Sequence, residues 1–311
     1  MAQRFDNLVL ADASGAFFEG YSHGTEVWPK YCQVINSDSD TERYSFPGAL
    51  PQPRRMLDSR QFQGMLDFTF TIENYTYELS VSVKRESFED DKTGLILDSF
   101  RRAGEAFKSW KDELFAQLLE NGNVAGNTAY DGVVFHGDSR TIGSSGTIDN
   151  NTTSAASTGT TPTASELLDA LNTNILALMW EYADDTGRPG MVKQAMSNIG
   201  IVIPSNMIRA CAEAGNSTII ASNATSTVGG TTDNVYGKNL FTYDVLPNLS
   251  SDAEMFVNAV GSVTKPFIMQ QRTPLQVEVK QDDMDVVKLL CRERFRFGYG
   301  EPRMSVLHTW T

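Results

Sequence analysis

Between residues 68 and 83 apolar and polar side chains alternate with a period of two. Phe68, Phe70 and Ile72 are interleaved with Thr69, Thr71 and Glu73. The phase slips at Asn74, and Tyr75, Tyr77, Leu79, Val81 and Val83 then alternate with Thr76, Glu78, Ser80 and Ser82. The pattern predicts a two-stranded hairpin with one aromatic face. A lone hairpin is marginal in water, so that face must rest on something; its own domain and a second chain both satisfy the pattern.

Directly afterwards the period changes to 3.6. Ser87 and Asp90 have capping-box spacing, and Glu89, Asp90 and Asp91 crowd a first turn where the helix dipole favours negative charge, so a helix is predicted to start near Phe88. Leu97, Phe100, Ala103, Phe107, Trp110, Leu114 and Leu118 recur on one face; Arg101, Glu105, Lys108 and Asp112 occupy the other. Asn121-Gly122 ends the element. At 1.5 Å per residue it would be about 50 Å long, a beam rather than an ordinary globular helix.

The rest of the chain is less regular. Gly15, Gly20, Gly24, Pro29, Pro47, Gly48, Pro51 and Pro53 punctuate the first sixty residues, which predicts an extended arm. The Ser/Thr/Gly/Asn-rich stretch 141–165 predicts a surface loop with almost nothing to bury. A second helix is expected over 164–184, carrying Leu167, Leu168, Leu171, Ile175, Leu178, Met179 and Tyr182 at helical spacing and broken by Gly187-Arg188-Pro189-Gly190. Residues 199–203 are a continuously apolar strand, followed at Pro204-Ser205 by a brief helix and, over 222–237, by a polar loop. Strand-like segments follow at 240–245, 255–260, 266–271 and 275–279. A last strand over 288–297 puts Leu289, Cys291, Phe295 and Phe297 on one face and Arg292, Arg294 and Arg296 on the other. Strands of both local and alternating type beside separate helices place the fold in the α+β class.

Composition narrows the function. The 311 residues are 41% hydrophobic, enough for a real core, and the formal net charge is −13. A dedicated nucleic-acid binder clusters Lys and Arg against phosphates, so any contact with DNA is expected to be weak and non-specific. Cys32, Cys211 and Cys291 are odd in number and far apart, as free thiols in a reducing compartment would be. No apolar run reaches membrane-spanning length, and the N-terminus lacks a secretory pattern.

Candidates for chemistry are few. His23, His136 and His308 are the three histidines, and the richest cluster is Asp131, His136 and Asp138. It could supply a general base or metal ligands for a hydrolase, but its spacing fits no zinc or hydrolase motif, and Asp-Gly and His-Gly-Asp are ordinary turn chemistry. Gly143-Ser144-Ser145-Gly146 lacks the strand–helix context of a nucleophile elbow. The Arg292, Arg294, Arg296 stripe could meet phosphate; salt bridging to acidic neighbours fits an acidic chain better. Neither a cofactor nor a metal site is expected.

The ordered set of elements resembles a family. Val83 to Asp91, Asp112-Glu113-Leu114 and Leu118 to Gly122, then Tyr130-Asp131-Gly132 with Phe135 and His136, and Pro266-Phe267-Ile268 with Gln271-Arg272 and Pro274 are similar to the Mu-type major head subunits, tailed-phage capsid proteins of the Hong Kong 97 fold. The resemblance runs from about residue 60 to the end.

It implies an N-terminal arm over 1–60, an extended-loop hairpin over 61–86, a peripheral domain with the spine helix over 87–196, a mixed α/β axial domain over 197–280 and a return to the peripheral domain over 281–311. It implies no enzyme activity. The chain would assemble with itself into pentamers and hexamers of an icosahedral shell around double-stranded DNA. Its further partners would be a portal and a separate scaffold or cement protein, and assembly would take place in the host bacterial cytoplasm. Without a charged helical segment ahead of the arm, the scaffold is expected to be another protein or a piece already removed. Phe68, Phe70, Tyr75, Tyr77, Arg292, Arg294 and Arg296 are the expected inter-subunit contacts. Another oligomeric phage part, such as a tail-tube or decoration protein, is the competing structural reading.

Overall fold

Two larger sheets form the frame of the fold, and helices with apolar stripes of period 3.6 cover them. The computed structural model describes residues 2–47, 67–91, 94–190, 192–216, 219–221, 231–233, 240–281 and 286–311. In chain order the described elements begin with α1 (Ala2–His23), β1 (Cys32–Asn36), β2 (Thr41–Pro47), β3 (Asp67–Glu73), β4 (Tyr75–Lys84), α2 (Arg85–Glu89) and α3 (Leu95–Glu120). They continue with β5 (Asn151–Ser154), α4 (Ala164–Asp169), α5 (Ala177–Glu181), β6 (Ile199–Ile203), α6 (Ile208–Asn216), β7 (Ile219–Ala221) and β8 (Thr231–Asp233). The last are β9 (Thr242–Val245), β10 (Glu254–Ala259), β11 (Phe267–Gln281), β12 (Val286–Tyr299) and β13 (Ser305–Trp310).

One sheet has the order β5-β13-β10-β6-β9, the other β1-β11-β12-β4. In the five-stranded sheet β6 and β9 run parallel, with α6 on the crossover between them, as parallel pairing requires. Both faces of its inner strands are covered. Ile199, Ile201, Ile203, Val257 and Val306 face α4 to α6, while Val202, Phe256 and Leu307 meet Phe115 and Leu119 of α3 and the aromatic root of β11 and β12. A third cluster seats Ala13, Ala16 and Phe17 of α1 with Phe100 and Phe107 of α3 on Leu289 and Cys291.

The structure corrects several sequence expectations. Residues 2–23 are helical rather than extended, and Gly20, one of the glycines that suggested an arm, serves a close helix crossing. A Cβ on Gly20 would collide with the Arg101 carbonyl, and one on Gly104 with that of Phe17, so the two backbones touch where neither residue has a side chain. The spine does not run on from Phe88. Residues 85–89 form a separate short helix, and α3 starts at Leu95 after left-handed Gly94. Its first turn is capped by Asp91, whose carboxylate accepts from the N–H of Ile96 (2.8 Å) and Leu95 (3.3 Å), so the organising acid is one residue beyond the expected capping box. At 26 residues α3 is about 39 Å long.

The expected hairpin over 68–83 is not one. β3 pairs with β2, and β4 pairs with β12. Asn74, where the phase slips, is the switch: its buried side-chain amide donates to Ser37 Oγ (3.0 Å) and to the Ser39 (3.0 Å) and Asp40 (3.3 Å) carbonyls, fixing the point at which the chain leaves one ladder and joins another.

Stretch 141–165 is not simply a surface loop. Ile142, Ile148 and Asn150 are buried, and β5 pairs in parallel with β13. The segments at 266–271 and 275–279 form one strand, β11, whose register shifts around Thr273 accommodate Pro274. β13 follows the strand expected to be last. The second helix is present as α4, a π-helical stretch Ala170–Leu176 and α5, with a Thr163/Glu166 capping box at its start. Most of the expected 222–237 loop lies outside the described residues.

Candidate assembly surface

Four of the seven expected contact residues are aromatic, and the structure divides them. Phe68 of β3 lies 5.3 Å from the Tyr130 ring, and Phe70 stacks on Tyr44, its register partner, at 5.2 Å. Tyr44 in turn donates its hydroxyl to Gln270 Oε1 at 2.6 Å. Tyr77 packs on Trp110 and Phe295, each at 4.8 Å, and is half-buried against the core of its own chain. Only Tyr75 of the four remains strongly exposed, at 44%. The guanidinium of Arg296 sits 3.9 Å from its ring centroid, a cation–π contact that holds the ring upright.

The basic stripe also divides. Arg294 bonds Asp40 at 2.6 Å and so ties β12 to the β1–β2 turn, the acidic neighbour that the composition favoured. Arg292 is exposed and stands opposite Glu78 in the β12–β4 register. Between the arginines, Glu293 points inward and is buried.

These residues frame a groove of about 420 Å³ at the root of the β2–β3 hairpin, lined by Phe70, Ile72, Tyr75, Leu118, Arg296 and Tyr299. Ile72 can descend to its floor because Gly298 lies beneath; a Cβ there would come 2.6 Å from Ile72 Cδ1. A second, more apolar cavity of about 330 Å³ lies between β4 and α3, walled by Tyr77, Leu79, Ala106, Phe107 and Trp110. Both cavities adjoin β4, and neither contains a cluster of reactive groups.

The candidate chemistry is dispersed into structural roles. His136 is fully buried between Phe135 (4.8 Å) and Phe256 (5.8 Å), with Nε2 3.0 Å from Ser305 Oγ. Burial, helped by the nearby Arg140 charge, pushes its pKa down to about 3, so it is neutral at pH 7. Asp131 is an ion-pair partner of Arg140 (3.3 Å), whose Nη2 also donates to the carbonyls of Val134 and Phe135. That clasp closes the 131–140 turn and leaves no histidine–carboxylate pair. His308, next to Trp310, has Nδ1 2.8 Å from Thr152 Oγ1, and burial lowers its pKa to about 4. The three cysteines are buried free thiols, and burial raises the pKa of each. No metal-ligating group is found among the described residues, and no described helix is long and apolar enough to cross a membrane.

Other polar residues hold the surface in place, and one of them corrects an expectation: Asp112, expected on the polar face of the long helix, is buried because its carboxylate caps backbone N–H groups. Lys111 is buried on α3 and bonds Glu293 at 3.0 Å, with Glu26 at 3.8 Å and the Tyr21 hydroxyl at 3.3 Å. Burial opposes its charge, but Glu293, Tyr21 and Glu26 outweigh it and its pKa is raised; burial raises that of Glu293 as well. Beside it, the Asp112 carboxylate accepts from the N–H groups of Val27 (2.9 Å) and Trp28 (3.1 Å), and burial raises its pKa against those bonds.

A signal for Lys111 existed. It stands four residues from both Phe107 and Phe115, on the buried stripe, where a lysine requires an internal partner. On the other sheet Arg303 bonds Glu301 at 2.6 Å and the Tyr130 hydroxyl at 3.0 Å. Asn150 donates to the carbonyls of Phe135 (2.8 Å), Pro302 (3.0 Å) and Ser305 (3.2 Å).

Comparison with known proteins gives the family. Residues 7–185, more than half of the chain, match the family model for the Mu-like prophage major head subunit gpT. The sequence is similar to the major capsid protein of Escherichia phage Mu, 29% identical over 119 residues; the match spans 38% of this chain and 38% of that relative. In fold the chain is similar to one from the procapsid of bacteriophage JBD30, with TM-score 0.55 and 16% identity over 98% of this chain and 75% of that one. It is likewise similar to one from the mature capsid of bacteriophage PhiM1, with TM-score 0.54 and 10% identity over 92% and 87%. At such identities the structural likeness bears on the fold, which is the Hong Kong 97 type.

Proposed function

Because the chain belongs to the Mu-like prophage major head subunit family, we propose that it is the structural subunit of a phage head, self-assembling into a closed shell around double-stranded DNA. The match over residues 7–185 is the observation that carries this reading, since it takes in α1, the β2–β3 hairpin, β4 and α3 together.

In this reading pentamers and hexamers form the shell, and closure by many repeated moderate contacts makes assembly cooperative. The spine is α3. The extended loop is the β2–β3 hairpin rather than residues 61–86, because β2 and β3 form a ladder of their own whereas β4 belongs to the larger sheet. The five-stranded sheet forms the axial part; since β5 and β13 pair into it, that part draws on residues either side of 197–280. Phe68, Phe70, Tyr75, Arg292 and Arg296 border the surface a neighbour would cover. The negative chain suits an inner wall that does not adsorb its DNA. Portal and scaffold or cement proteins complete the head, which assembles in the host cytoplasm and ends in the virion.

Electron microscopy of the purified chain, with light scattering on the same sample, tests the reading. Closed particles, tubes or rings of five and six subunits are the expected result. A monomer that stays monomeric in the presence of the phage's own scaffold would refute it.

A further inference from the structure

β4 is the outermost strand of its sheet, and among the described residues nothing pairs with its outer edge. Proteins blunt such edges with prolines, bulges or short length. β11 carries Pro274 and two register shifts. β4 has neither: its ladder with β12 runs from Tyr75 to Lys84 through ten pairs without a shift. Leu79, Val81 and Val83 on its helix-facing side are only partly buried, and Thr76, Glu78, Ser80, Ser82 and Lys84 on the other side are exposed.

A straight open edge with half-covered apolar side chains is completed by another extended strand. We propose that this strand is β4 of a second copy of the chain, paired antiparallel about a two-fold axis at Val81. The charges select that register. With the axis at Val81, Glu78 of each copy stands opposite Lys84 of the other, Ser80 opposite Ser82, and Leu79 opposite Val83. Moving the axis to Ser80 sets Lys84 against Thr76 and Glu78 against Ser82; moving it to Ser82 carries Glu78 past the end of the strand at Lys84 and sets Lys84 against Ser80. Only the Val81 register joins both opposite charges.

The second copy also accounts for the apolar cavity beside the edge. Leu79 lines it, so Val83 of the other copy, opposite Leu79, is delivered to its mouth. The two four-stranded sheets then continue across the axis as one, an isologous contact in which the same patch serves both sides. This inference rests on the shell reading only for the identity of the partner.

Disulfide trapping in the full-length chain tests it. Opposed residues in an antiparallel ladder have Cα atoms about 4.5–5.5 Å apart, within disulfide reach. Val81→Cys therefore forms a covalent dimer on mild oxidation, while Leu79→Cys, displaced from the axis, does not. A Val81→Cys chain that stays monomeric, or a Leu79→Cys chain that links equally fast, overturns the register.

An independent arm uses charge. Glu78→Lys and Lys84→Glu each weaken self-association in sedimentation by roughly tenfold, and the double exchange restores it. A double variant as weak as the singles overturns the pairing. Shells that form without the Val81→Cys link refute this inference and leave the shell reading standing; linked dimers that never form shells, even with scaffold, do the reverse.

Discussion

The two large sheets of this protein solve the burial problem differently. In the five-stranded sheet β6 is buried at every position and β10 and β13 at all but one each, with helices on one face and the aromatic root of the other sheet on the opposite face. In the four-stranded sheet β4 and the outer half of β11 alternate between half-buried and exposed and contain no fully buried residue. The three inner strands of the first sheet are finished within one chain, while its outer strands β5 and β9 stay partly open. The second is supported by α1 and α3 on one side and left open along an edge and two cavities, as a subunit that must join others requires.

Mutations sharpen that contrast, and the largest effect belongs to the finished sheet. Phe256→Ala, which empties a fully buried site packed on His136, should cost about 3–5 kcal/mol in chemical denaturation, whereas Leu79→Ala on the open sheet should cost well under half as much. Equal losses would erase the distinction.

Next comes the buried ion pair that anchors the open sheet to the spine. Lys111→Met leaves Glu293 without its cation and should destabilise by about 3–5 kcal/mol, while the Lys111→Met/Glu293→Gln double variant should recover a large part. A double variant no better than the single would show that packing, not charge, holds this joint.

Acid should act on the finished sheet through its histidines. His136 and His308 have folded-state values of about 3 and about 4, below the usual 6.5, so the unfolded chain takes up protons first. The stability they confer is complete above pH 6.5 and is lost as pH falls toward 4, at about 1.4 kcal/mol per pH unit for each histidine. Denaturation midpoints measured from pH 7 to 4 should fall, and fall less steeply in His308→Gln.

The smallest effect compares two glycines of α1's neighbourhood. Gly104→Ala pushes a methyl into the Phe17 backbone and should cost about 2 kcal/mol, whereas Gly15→Ala meets nothing within 4 Å and should stabilise by about 0.5–1 kcal/mol; thermal melts of both decide it.

The same contrast explains what could be read in advance. The spine stripe from Leu97 to Leu118, the apolar run at 199–203 and the in-out alternation of Leu289, Cys291 and Phe295 are local periodic signals, and each element formed. Pairing is not local. The period-two stretch around Asn74 correctly marked two strands, but their partners lie at Thr41–Pro47 and Val286–Tyr299, and only the hydrogen bonds of Asn74 reveal the switch.

Gly20 misleads because a glycine that permits helix crossing looks the same in sequence as one that breaks a helix. The polar stretch 141–165 misled for a related reason. Asn150 and Thr152 are buried by the bonds they make, which composition cannot show. Of the expected contact residues, Tyr77 rests on Trp110 of its own chain, whereas Tyr75 and Arg296 stack on each other beside the groove, a difference that alternation along the strand does not show.

Hydrogen exchange, compared between dissociated subunits and assembled particles, tests the central division most directly. The account predicts new protection concentrated in β4 and the β2–β3 hairpin, with the amides of β6, β10 and β13 already protected in the subunit and unchanged by assembly. New protection confined to the five-stranded sheet, with β4 exchanging equally fast in both states, would contradict it.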